Sequence, residues 1–190
     1  MMLLILGLLL FLGVHSISIV NEPFRDQVAQ RLGVMPWKAV YSCVAGLGFA
    51  LILIGYGQAR LDPVVIYSPP GWTRHLTMLL MVPVFILLLA AYLPGRIKQA
   101  TKHPMLAATK LWALAHLLAN GTLADVLLFG SFLAWAVADR ISIKRRRPHP
   151  TPIAHTGPRN DMIAVGGGLA LYVAFVVLLH RVLIGVSPMG

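Results

Sequence analysis

Six stretches of the chain are almost continuously apolar: Leu3–Val20, Trp37–Gly57, His75–Leu93, Pro104–Ala119, Leu123–Asp139 and Ile163–Val186. A helix that crosses a bilayer needs roughly 20 mostly apolar residues, and inside hydrocarbon only helices or closed barrels satisfy their own backbone. Runs this long and unbroken predict helices. The expected fold is all-α, a polytopic membrane bundle of about six transmembrane helices forming one domain over residues 1–190. The fourth stretch is the shortest and carries Lys110; Asn120-Gly121-Thr122 after it reads as the tight turn of a helical hairpin with the fifth.

Composition agrees with the pattern. Hydrophobic residues make up 58% of the 190 positions and charged ones 12%, which leaves no room for a separate soluble domain. A secretory leader opens with basic residues, and there is no Lys or Arg before Arg25, so the first helix is expected to be retained. The single cysteine, Cys43, excludes an intramolecular disulfide and a Cys-based metal site, and reads as a small packing residue in the second span.

A net charge of +10 raises the question of nucleic acid, but the placement of the charge points to membrane topology instead. The first, third and fifth loops hold Arg25, Arg31, Lys38, Arg96, Lys98, Lys102, Arg140, Lys144, Arg145, Arg146, Arg147 and Arg159; the opposite side holds only Arg60 and Arg74, while Lys110 and Arg181 fall within spans. By the positive-inside rule the odd loops are expected to face the cytoplasm and both termini to face away from it. Lys144-Arg145-Arg146-Arg147 would meet anionic lipid there. Pro148, Pro150, Pro152 and Pro158 predict an extended, mobile stretch after it.

Ionisable groups inside a membrane are costly and are therefore functional candidates. His15, His116 and His180 lie within spans, and Asp125 and Asp139 are the only carboxylates there, Asp139 at an end. Neither paired carboxylates nor a nucleophile beside a base is present, which argues against hydrolytic or proton-pumping chemistry and leaves the catalytic residues unassigned. Histidines without acidic or thiol partners suit a metal that accepts imidazole, of which axial ligation of haem is the common membrane case; alternatively each bonds a neighbouring helix as packing glue. Thr109, Trp112 and His116 share one helix face, so Trp112 could line a flat cofactor or simply pack. Gly166-Gly167-Gly168, being apolar and within lipid, reads as a close-packing site rather than a phosphate loop.

Several segments resemble the NnrU membrane proteins: Lys102-His103-Pro104-Met105, then Leu111-Trp112-Ala113-Leu114-Ala115-His116, then Ala119-Asn120-Gly121, together with Val14-His15-Ser16 at the end of the first helix. That group is similar to the zeta-carotene isomerases, in which histidines hold haem b and the iron, rather than a side chain, isomerises a double bond. The resemblance implies haem b as cofactor, His15 and His116 as its axial ligands, Trp112 and Thr109 along the ring, and a lipophilic substrate arriving from the membrane. It also implies a supporting position at His180, an alternative ligand, followed by Arg181, which would neutralise a propionate or snorkel to the interface. Lys102 stands where the isomerase motif has arginine; the charge is kept and a bidentate donor lost.

Two other readings stay open. Bacterial NnrU proteins are associated with denitrification, so the chain could be a non-enzymatic accessory or nitric oxide sensor for a nitrite or nitric oxide reductase system. A wider likeness to membrane methyltransferases would imply S-adenosylmethionine, although the segment after the fifth helix lacks the expected acidic residue. Depth supplies a constraint on the haem reading. Measured along the expected spans, His15 lies about 8 Å and His116 about 20 Å from the cytoplasmic ends of their helices. The two depths match only if the fourth and fifth helices project into the cytoplasm by about two turns, which would bring Lys110 to the headgroups and require partners for Asn120 and Asp125.

Overall fold

The computed structural model describes residues 1–146 and 157–189. Its regular structure is helical: α1 (Met2–Val20), α2 (Glu22–Leu32), α3 (Val34–Ala59), α4 (Thr73–Tyr92), α5 (Arg96–Thr101), α6 (Pro104–Ala119), α7 (Leu123–Arg145) and α8 (Pro158–Ala174), the last continuing through a π-helical turn, Phe175–Leu179, into α9 (His180–Ile184). Among the described residues, five helices are long and apolar enough to cross a membrane: α1, α3, α4, α7 and the α8–α9 run from Arg159 to Ile184. The apolar α6 has 16 residues, giving it a rise of about 24 Å against a hydrocarbon core of about 30 Å. Large side chains such as Leu9, Leu79 and Val182 remain about two-thirds exposed, at 67%, 66% and 67%, as helices solvated by lipid require. The polytopic helical bundle expected from the pattern is what the chain forms.

The chain divides into two compact units, Met1–Tyr67 with Thr122–Arg146, and Ser68–Gly121 with Arg147–Gly190. In the first, α1 lies against α3 and α7. Three glycines set how closely α1 and α3 approach: a Cβ on Gly7 would meet the backbone of Ile52, one on Gly48 the backbone of Phe11, and one on Gly55 the backbone of Leu4. Without a water-driven hydrophobic effect between helices, such backbone-to-backbone approach is how membrane helices gain their packing energy.

The segment between the first two spans is not a loop. Asn21 caps α2, its Oδ1 accepting from the Phe24 amide at 3.0 Å, Pro23 occupies the first turn, and Gly33 ends the helix at φ +87°, a conformation glycine adopts without strain. Cys43 is exposed on α3, so it is not the packing residue its place in the span suggests.

At the other end of this unit, Thr122 and Asp125 form a reciprocal capping box at the start of α7. The Asp125 carboxylate accepts from the Thr122 amide at 2.9 Å, the Thr122 hydroxyl at 2.6 Å and the Tyr56 hydroxyl of α3 at 2.6 Å. The Leu123 amide donates to the Val64 carbonyl at 2.8 Å, and Val65 forms an isolated antiparallel bridge with Thr122. At the far end of α7, Arg146 bridges Asp139 at 2.8 Å, and Lys144 and Arg145 extend the helix rather than starting a loop. Arg147 and the proline stretch through Pro152 lie outside the described residues, whereas Pro158 opens α8.

In the second unit α4 packs against both α6 and α8. Gly167 and Gly168 make the α8 contact possible, since a Cβ would meet Leu89 and the Ile86 backbone respectively, and the close-packing reading of the triglycine holds at those two positions. The third expected loop contains α5, held from outside its own sequence: Asp161 accepts from the Arg96 and Ile97 amides at 2.9 and 3.1 Å, while Asn160 donates to the Pro94 carbonyl at 2.7 Å. A side chain on Gly95 would collide with the Asp161 carboxylate. The last helix begins earlier than the hydropathy indicates, so that Asn160 and Asp161 fall inside it.

Candidate functional site

In the first unit, α1 places Phe11 and His15 one turn apart, with ring centroids 4.3 Å apart and nearly stacked. His15 Nδ1 lies 2.6 Å from the Phe11 carbonyl oxygen. A carbonyl can only accept, so this bond assigns the hydrogen to Nδ1 and the in-plane lone pair to Nε2, the nitrogen a metal would use. The ring sits in an aromatic box from three helices: Tyr41 of α3 at 5.2 Å edge-on and Trp135 of α7 at 5.9 Å and 90° complete it. The Trp135 indole N–H is buried and has no hydrogen-bond partner among the described residues. A buried donor of this kind costs about 1–3 kcal/mol when unmet, which makes it available to a ligand atom.

In the second unit, α6 carries Thr109, Trp112 and His116. The Trp112 and His116 rings lie 5.4 Å apart, on one face as the spacing predicts. His116 Nδ1 is 2.8 Å from the Trp112 carbonyl, repeating the arrangement at His15 and again assigning the lone pair to Nε2. The Thr109 hydroxyl donates to the Met105 carbonyl at 3.0 Å, so its hydrogen is committed to its own helix. The end of α6 is held firmly: the Asn120 side chain donates to the His116 carbonyl at 2.9 Å, and Thr77 of α4 donates to the Ala115 carbonyl at 2.7 Å. Asn120 and Asp125 therefore both have the partners the sequence argument required.

His180 differs. It directly follows the π-helical turn, its Nδ1 reaches the Val186 carbonyl at 2.6 Å, and Phe175 stands edge-on at 6.0 Å. Arg181 beside it is exposed. Such π-turns often mark functional positions, and here the turn sets the azimuth of the ring.

The Lys102-His103-Pro104 motif is a tight reversal between α5 and α6. Lys102 is the only non-glycine residue at positive φ among those described, at φ 60° and ψ −43°, and the His103 amide closes onto the Thr101 carbonyl at 2.7 Å. This is a γ-turn of the rare, strained kind. Pro104 then starts α6 with φ already set for a helix and no amide hydrogen to satisfy.

Among the described residues, no three His, Cys, Asp or Glu side chains converge as ligands for a bare metal ion. The sequence had brought forward His15, His116, His180, Trp112, Thr109 and Arg181 but not Phe11, Tyr41, Trp135 or Asp161. Phe11 was legible at four residues before His15. The others reach their places through tertiary contacts with no sequence spacing to announce them.

Compared with curated proteins and with solved structures, the chain has no significant match. The family model described as NnrU protein matches residues 3–188, nearly the whole length. With that match added to the helical bundle and the histidine-bearing segments, the chain belongs to the NnrU family.

Proposed function

We propose that this protein binds haem b in a bacterial cytoplasmic membrane, with iron ligands drawn from His15 and His116, and acts as a cis-trans isomerase of a lipophilic polyene. The observation that carries the reading is the hydrogen bond common to the two histidines: each is tied through Nδ1 to the carbonyl four residues before it, at 2.6 and 2.8 Å, which puts the in-plane lone pair of each ring on Nε2, the tautomer a metal ligand needs. A porphyrin brings four ligands of its own, so one or two imidazoles suffice without a three-residue metal cluster, of which the described residues hold none. The aromatic box at His15, the unmet Trp135 donor and Trp112 beside His116 suit a flat aromatic group.

When bound, the haem supplies the redox-active iron and the electronic chemistry of isomerisation. The chain's own residues do the rest: backbone carbonyls orient the imidazoles, apolar walls exclude water, and the lipid-exposed helices admit an apolar substrate. The proposed orientation, with both termini outside, rests on twelve Lys and Arg in the odd connections and the helix ends that flank them, against two, Arg60 and Arg74, on the opposite side.

The test is the absorption spectrum of detergent-purified protein, oxidised and dithionite-reduced, for wild type, His15→Ala and His116→Ala. Sharp haem b bands that both substitutions abolish are expected. Folded, colourless wild type after haem addition overturns the reading, and S-adenosylmethionine binding by calorimetry then becomes the next measurement. With haem present, conversion of a poly-cis polyene by the reduced protein supports the isomerase. Nitric oxide-induced spectral change without turnover moves the assignment to an accessory of nitrite or nitric oxide reduction.

A further inference from the structure

A cavity of about 270 Å³ opens within the first unit, bounded by the end of α1, by α2 and by the start of α3. Its apolar wall is Val14 and Ile17, its polar lining Ser18, Arg25 and Lys38, and its aromatic side Trp37 and Tyr41. Apolar depth, two cations and a Trp/Tyr pair are what a lipid encounters at the boundary between acyl chains and headgroups. The helix that closes the cavity belongs at that boundary as well. α2 carries Glu22, Arg25, Asp26 and Arg31 but leaves Phe24 and Leu32 52% and 53% exposed, and Met35 just beyond it is 76% exposed. A short helix with exposed apolar groups among charges lies in a membrane interface rather than in water.

The two cations are not equivalent. Arg25 is already engaged, with Nη2 at 2.6 Å from Asp26 and 3.6 Å from Glu22. No carboxylate among the described residues pairs with Lys38. The uncompensated charge of the cavity is therefore the Lys38 ammonium, with the Ser18 hydroxyl and the remaining guanidinium hydrogens as further donors.

We propose that this cavity binds the phosphodiester group of an anionic phospholipid, with Lys38 as the principal charge partner and the acyl chains leaving along Val14 and Ile17. The site borders the aromatic box of His15 and shares Tyr41 with it, but its charge partners, Lys38 and Arg25, take no part in the haem reading. A free phosphate ion shares the headgroup chemistry but has no use for the apolar wall.

The test is native mass spectrometry of the detergent-solubilised protein titrated with phosphatidylglycerol or phosphatidylcholine, for wild type, Lys38→Gln, Lys38→Arg, Arg25→Gln and, as a control cation outside the cavity, Lys144→Gln. Wild type is expected to take up one phosphatidylglycerol in preference to phosphatidylcholine. Lys38→Gln should weaken that binding about fivefold, the worth of one interfacial lysine, Lys38→Arg should restore it, and Arg25→Gln should have the smaller effect. Equal uptake of the two lipids by wild type overturns the proposal without reference to any variant. So does an equal loss in Lys38→Gln and Lys144→Gln, or displacement of the bound lipid by millimolar inorganic phosphate, which would make the site one for the free ion.

Discussion

Tyr56 on α3 donates its hydroxyl to Asp125 at the start of α7, 2.6 Å away across 69 residues of sequence. Asp125 is only 4% exposed, yet its carboxylate has three donors: this hydroxyl and the amide and hydroxyl of Thr122. A lone carboxylate in an apolar bundle is costly; here the cost is offset by hydrogen bonds that also set where α7 begins.

Removing the hydroxyl with Tyr56→Phe should destabilise the protein by about 1.5–3 kcal/mol, the range for a hydrogen bond to a carboxylate. Asp125→Leu should cost more, because it leaves three donors without an acceptor at once. Unfolding by SDS titration in mixed micelles measures both. A Tyr56→Phe protein as stable as wild type would show that Thr122 alone suffices.

Gly95 and Asp161 should behave as a coupled pair. Gly95→Ala places a methyl group against the carboxylate that caps α5, so a loss comparable to that of a cap, about 1 kcal/mol, is expected. In an Asp161→Ala background the same glycine substitution should cost markedly less, since nothing remains for the methyl to strike. Additive losses in the double variant would dissolve the coupling.

The γ-turn at Lys102 predicts an asymmetry between two substitutions. Lys102→Gly should be near neutral, because relief of strain worth about 1–3 kcal/mol is set against the extra freedom of glycine in the unfolded chain. Lys102→Val should be clearly destabilising, since a branched side chain tolerates φ +60° least. If valine and glycine melt together, the turn is not held as described.

His180→Ala should leave the reduced haem spectrum in place, in contrast to His15→Ala and His116→Ala. His180 bonds a carbonyl six residues downstream, at Val186, rather than one in its own preceding turn. Loss of the bands in His180→Ala with retention in either of the other two variants would exchange the ligand assignment.

The spans were readable because a bilayer imposes length and apolarity directly on the sequence, and the shared face of Trp112 and His116 because helical period fixes it. α2 was also within reach: Asn21, Pro23 and Gly33 are ordinary start and stop signals, overshadowed by the hydropathy of the neighbouring spans. Cys43 could not be placed, since an all-round apolar helix gives no stripe to say which side meets lipid. Asp161 looked like a loop residue because its purpose lies 64 and 65 residues away, at the amides of Ile97 and Arg96. The partners of His15 on α3 and α7 were invisible for the same reason: no local rule connects residue 15 with residue 41 or 135.

The cap that Asp161 provides has a temporal side. During synthesis the α5 segment leaves the ribosome well before the residue that completes its first turn, so the Arg96 and Ile97 amides and the Pro94 carbonyl must wait for the start of the final helix. A nascent chain halted before Asn160 should therefore hold α5 and the strained Lys102 turn loosely, open to protease or to an alkylating probe placed there, and the arrival of α8 should close them. The last membrane helix thereby acts as a completion signal for a turn written much earlier in the chain.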